Sequence, residues 1–126
     1  MTTLTEGKRN ADFLVSEANG HRSRDTGVVT VPANTTFEAG TILGQITASE
    51  KYVRHDSGNA DGSETEAAVL YETLVNDTGA GVDHTATIIN RDAEVRGSDL
   101  VYEDGADAAA KSASNTALAS LGIIVR

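Results

Sequence analysis

The sequence predicts an α+β fold, a small β-rich single domain with one C-terminal helix and a terminal strand, preceded by an extended N-terminal arm. Three observations carry this. Short β-branched runs are punctuated by Gly, Asn, Asp and Ser; one alanine-rich stretch near the C terminus has helical spacing; and the first 27 residues are too polar to fold by themselves.

Taken in order, residues 1–27 read as an arm and residues 28–126 as the body. Thr, Asn, Gly and Ser crowd the arm around a single apolar triplet, Phe13-Leu14-Val15. Such a segment buries too little surface to offset its ordering entropy, so it is expected to be mobile until a partner receives it. A triplet that packs back onto its own domain is the competing reading. The body is expected to begin at Val28–Val31, a strand stopped or held at an edge by Pro32, the only proline. Gly40-Thr41-Ile42-Leu43-Gly44-Gln45-Ile46-Thr47 and Tyr52-Val53 predict a hairpin turned through Ser49-Glu50-Lys51. Asp56 to Glu66 is a polar loop and Ala67–Tyr71 a buried strand. After a turn at Asn76–Gly81 come strands at Thr85–Ile89, Ala93–Val95 and Leu100–Tyr102.

The helix is predicted over Asp107 to Leu121. Ala106, Ala110, Ala113, Ala117 and Leu121 recur at helical spacing beside Leu118; Asp104 or Asp107 can cap the start, and Gly122 sits where a C′ glycine belongs. Ser112, Ser114, Asn115 and Thr116 are weak helix formers, so packing must hold the helix. Ile123-Ile124-Val125 is too apolar to dangle and predicts a last strand, with Ile124 expected in the core.

Composition narrows the function. At 126 residues the chain holds one domain, and with two Phe, three Tyr and no Trp its core must be built from aliphatics, which favours burial against copies of itself. The formal charge of −9 argues against nucleic acid as partner. Without cysteine there is neither a disulfide framework nor a thiolate site. No membrane partner is expected, since no window approaches the roughly 20 apolar residues of a span, and nothing at the start resembles a secretory leader, so synthesis in the cytoplasm is expected. Lys8, Arg9, Arg22 and Arg24 balance Glu6, Asp12, Glu17 and Asp25, which leaves the arm neutral and the body carrying the whole charge.

Residues suited to chemistry are few. His21, His55 and His84 lack the i, i+3 or i, i+4 spacing of paired metal ligands, and no Gly-x-Ser-x-Gly elbow occurs. Asp56-Ser57-Gly58-Asn59-Ala60-Asp61-Gly62 fails as a calcium loop because Gly58 and Ala60 replace oxygen donors. An irregular site from Asp56, Asp61, Glu64 and Glu66 is weighed against a solvated turn, which is the commoner meaning. Gly79-Ala80-Gly81 lacks the third glycine of a dinucleotide loop. No cofactor and no enzyme activity are expected.

The succession of segments resembles the phage head decoration protein D family. Phe13-Leu14-Val15-Ser16-Glu17-Ala18-Asn19-Gly20 with Ser23-Arg24-Asp25 is similar to the family's arm, and Ala39–Gly44 with Ile46-Thr47 and Tyr52 to its first body hairpin. Asp61-Gly62-Ser63 leading into Ala67–Tyr71, and Leu118 to Arg126, are similar to its later loop, buried strand and helix-to-strand ending. The lambda member departs most in the arm, being richer in proline there. The resemblance implies a non-enzymatic homotrimer at local threefold positions on the outer surface of an expanded capsid, with the major capsid protein as partner. It implies shell contacts through the arm, for which the expected residues are Phe13, Leu14, Val15, Arg22 and Arg24. Removing residues 1–27 should then leave a folded body. The alternative is a trimeric tail or fibre accessory protein.

Overall fold

In the computed structural model, which describes residues 3–126, strand β2 (Arg24–Val31) pairs along its full length with β8 (Val82–Ile89), antiparallel from Arg24↔Ile89 to Val31↔Val82. Val29 and Val31 point inward and are fully buried, while Val28 and Thr30 face outward, the two-residue period of a half-buried strand. The expected hairpin forms from β4 (Ile42–Gln45) and β5 (Tyr52–Arg54). With β6 (Glu66–Leu70), these strands close a barrel in the order β2-β5-β4-β6-β8. Closure is tight where β4 meets β6: the register shifts between Leu43 and Gly44, and a Cβ on Gly44 would overlap the Ser63 carbonyl.

Two further strand groups flank the barrel. β3 (Thr35–Phe37) pairs with β7 (Leu74–Asn76), while β9 (Ala93–Val95) is central to a small sheet between β1 (Leu14–Glu17) and β10 (Ile123–Val125). Helix α1 (Ala108–Ser120) starts at Asp107, whose Oδ1 accepts the Ala110 N–H at 2.8 Å, and it ends before Gly122 at φ +84°. Its most buried residues are Leu118 and Ser114 rather than the alanine stripe; Ala113 is exposed. Among the described residues no helix is long and apolar enough to cross a membrane.

The aliphatic core divides into two clusters. Val29, Val31, Leu43, Leu70 and Ile88 fill the barrel with Phe37 and Leu74. Ile42, Val69 and Ile89 face the other way, joining Val95, Leu118, Ile123 and Phe13 under the helix and the small sheet.

Several expectations are corrected. The stretch Leu100–Tyr102 forms only one bridge, Thr41↔Val101, in which the Val101 N–H donates to the Gly40 carbonyl and its carbonyl accepts the Ile42 N–H, while Leu100 packs into the core. β10 buries Ile123 fully but leaves Ile124 37% exposed, since strand alternation turns it outward. The boundary expected at residue 27 falls inside β2, and the segment before it is not a free arm from end to end. Phe13 is fully buried and β1 is hydrogen-bonded to β9, from Leu14↔Val95 to Glu17↔Ala93. A large apolar side chain with a vacant sheet edge nearby gains more from packing on its own domain than from staying in water.

Candidate functional site

The N-terminal segment reaches the body through a short turn. The Asp12 carboxylate accepts the Arg9 N–H at 2.8 Å, Ala11 takes a positive φ of 62°, and the Ala11 N–H donates to the Tyr71 carbonyl at 3.0 Å. This turn delivers Phe13 into the core, where its carbonyl accepts the Arg96 N–H at 2.7 Å. Upstream, residues 3–10 form no strand or helix apart from a turn at Asn10. They are exposed except for half-buried Lys8, whose Nζ donates to the Asp99 carbonyl at 2.9 Å and lies 3.5 Å from Glu38. Leu4, 91% exposed, is the most accessible large apolar side chain of the described residues.

The five residues expected to contact a partner divide in two. Phe13 is a core residue, and Leu14 packs half-buried against the same cluster. Arg24 is spent internally: its Nε donates to Glu17 Oε2 at 3.0 Å and its guanidinium lies 4.5 Å from the Tyr71 ring centroid. That bond to Glu17 raises the guanidinium above its ordinary pKa, so it stays charged in place. Val15 and Arg22, by contrast, present themselves to solvent. Val15 is 47% exposed, and the Arg22 side chain is largely exposed although its Nε sits 3.3 Å from Asp92. In the chain by itself Phe13, Leu14 and Arg24 are thus engaged within their own domain. The scarcity of aromatics was the signal for it, because a chain with two Phe rarely leaves one in water.

Polar clusters elsewhere serve the fold. Buried His55 brings Nε2 within 3.0 Å of the Glu64 carbonyl and 3.2 Å of Glu66 Oε1, and that carboxylate accepts the Ser114 hydroxyl at 2.5 Å. The arrangement braces β5, β6 and the helix, and the sequence spacing of these residues carried no hint of it. The acidic loop turns on itself: Asp56 accepts the Gly58 N–H, Asp61 accepts the Ser63 N–H and hydroxyl, and Glu64 accepts the Gly62 N–H. The Ser63 bonds hold the Asp61 carboxyl below its ordinary value of 3.8. Among the described residues no group of three or more His, Asp or Glu could hold a metal ion.

A profile described as bacteriophage lambda head decoration protein D matches residues 3–123. The chain belongs to this head decoration protein D family. The match runs from the exposed N-terminal residues through the barrel and helix into β10, so segment and body are parts of one family unit. The family is one of structural phage capsid proteins, and its members' role is decoration of the phage capsid. The resemblance seen in the order of segments is thus confirmed over almost the whole chain. No individual curated protein matches the chain.

Proposed function

We propose that this head decoration protein binds the outside of an expanded phage head as homotrimers at local threefold positions, contacts the major capsid protein, and stabilises the shell without catalysis. The observation that carries the reading is the family match across residues 3–123. Two features of the fold support it. The aliphatic core, split into two small clusters, is thin for an isolated domain and favours association. The shell-facing part is residues 3–12 with the neighbouring exposed side chains Val15 and Arg22, a surface that is close to neutral and tipped by Leu4. Neutrality keeps the body's negative charge out of this contact. Three such segments per trimer would act together, so a weak single contact becomes durable through effective concentration.

Co-sedimentation with undecorated expanded heads, followed by averaged images of the decorated particles, tests this. Density for triplets at local threefold positions is expected. Isolated or paired copies on the head would overturn the trimer, and binding to tails in place of heads would transfer the reading to an accessory protein.

A further inference from the structure

The barrel closes by its weakest seam between β2 and β5. Their pairing is a single parallel rung, Val29↔Tyr52, and the cause lies in the sequence. Hydrogen bonds from His55 N–H to Ile42 O and from Ile46 N–H to Lys51 O fix which β5 residues face β4. By strand alternation the backbone groups of Tyr52 and Arg54 point the other way, toward β2. The next parallel rung would need an N–H from Pro32, which has none, so the ladder stops and the Arg54 carbonyl loses that partner. A cleft of about 450 Å³ opens at this point.

The cleft has a defined chemistry. Pro32, Phe37, Ile46 and Val53 give it an apolar floor, and Arg54 forms part of its wall. The Arg54 terminal nitrogens are engaged, one donating to the Tyr102 carbonyl at 2.6 Å and the other 3.2 Å from Asp104. Asp56, Asp61 and Asp104 line the cleft with Arg54, so the lining is net acidic. An open strand edge, an apolar floor and an acidic rim together fit an extended peptide, adding alongside β5 with an N–H on the Arg54 carbonyl, an apolar side chain on the floor and a basic one by the aspartates.

We propose that this cleft receives an extended segment of the major capsid protein carrying an apolar residue and a Lys or Arg, a second attachment separate from the N-terminal segment. The proposal rests on the capsid-binding reading above. Charge complementarity selects the occupant: the body's own surface is strongly acidic, so a basic segment of the shell is favoured over a second acidic body.

The test compares full-length wild type, Val53→Glu and the double variant Asp56→Asn/Asp61→Asn for binding to undecorated expanded heads at several salt concentrations. Each asparagine keeps the Oδ1 that accepts the Gly58 or Ser63 N–H, so the loop is preserved while the charge is removed. Val53→Glu should weaken binding about tenfold or more by placing a carboxylate on the apolar floor. The double variant should weaken it about three- to tenfold and flatten its salt dependence. On decorated heads, deuterium uptake should slow in peptides covering residues 33–38 and 46–56. If Val53→Glu melts early, the double variant and the exchange pattern decide. Wild-type binding with both variants unimpaired, or protection confined to residues 3–23, overturns this inference alone. Failure of wild type to bind heads at all overturns the capsid reading and this inference with it.

Discussion

Phe13→Ala separates a structural role from a partner-contacting one. Phe13 is fully buried in a cluster that includes Ile42, Val69, Ile89, Leu118 and Ile123, and the strand that follows it is pinned to β9. Truncation to alanine removes an aromatic ring from a packed site whose surroundings belong to the barrel, the helix and the small sheet, so collapse onto the void is restricted. Losses of about 3–5 kcal/mol are typical of such a change. For a domain whose whole stability is on the order of 5–15 kcal/mol this is a large share. At about 4 °C per kcal/mol for a chain of this length, the melting midpoint should fall by about 12 °C or more. Circular-dichroism melting of the free protein, with urea unfolding to check that the slope is unchanged, reads this directly. A midpoint within about 2 °C of wild type, well under the shift expected for a lost core aromatic, would refute the packing argument and return Phe13 to the surface. Val15→Ala is the matched control: two residues further on and half-exposed in β1, it should change stability by no more than about 0.5 kcal/mol.

Truncation gives a second measurement on the same question. Deleting residues 1–10 should leave the melt close to that of wild type, whereas deleting residues 1–27 removes Phe13, β1 and the first half of β2, and should give a chain without a cooperative transition; a cooperative wild-type-like melt of the longer deletion would contradict the fold. In β10, Ile123→Asp forces a carboxylate into a fully buried site and should destabilise by several kcal/mol, about 3 or more, while Ile124→Asp should cost far less; equal effects would show that the strand's facing is wrong. Acidification should lower stability. Hydrogen bonds from Arg126 and Ser16 hold the Glu94 carboxyl below its ordinary 4.5, a bond from Lys51 holds Asp83 below 3.8, and one from the Thr26 N–H does the same for Asp25. Carboxyls lowered on folding stabilise the protein fully above those ordinary values, and the contribution is lost as pH falls through them to the lowered ones. A melting midpoint that holds steady through that acid range would show these contacts to be absent in solution.

Elements with a local signature were legible in the sequence. The helix, its Asp107 cap and its Gly122 stop depend on neighbours within a turn or two, and the β4–β5 hairpin depends on one short connection. The three-residue strands β3 and β7 carry no comparable pattern, because each exists only by pairing with the other across nearly forty residues. Leu100–Tyr102 shows the reverse: a run with strand character that finds only one rung.

Composition and segment order by themselves determined the fold class, the absence of any recognisable catalytic or metal motif, and the family, since these rest on residue types and their succession. Where the arm ends was decided only in three dimensions. Nothing in the neighbourhood of Phe13 in the chain indicates that a pocket of residues from Ala39 to Ile123 is waiting for it. The same holds for the open edge at Arg54: Pro32 announces that a ladder must stop, but which strand loses its partner depends on the register of β2 against β5. Burial and register are sums over contacts distant in sequence, and those sums exist only once the chain has closed on itself.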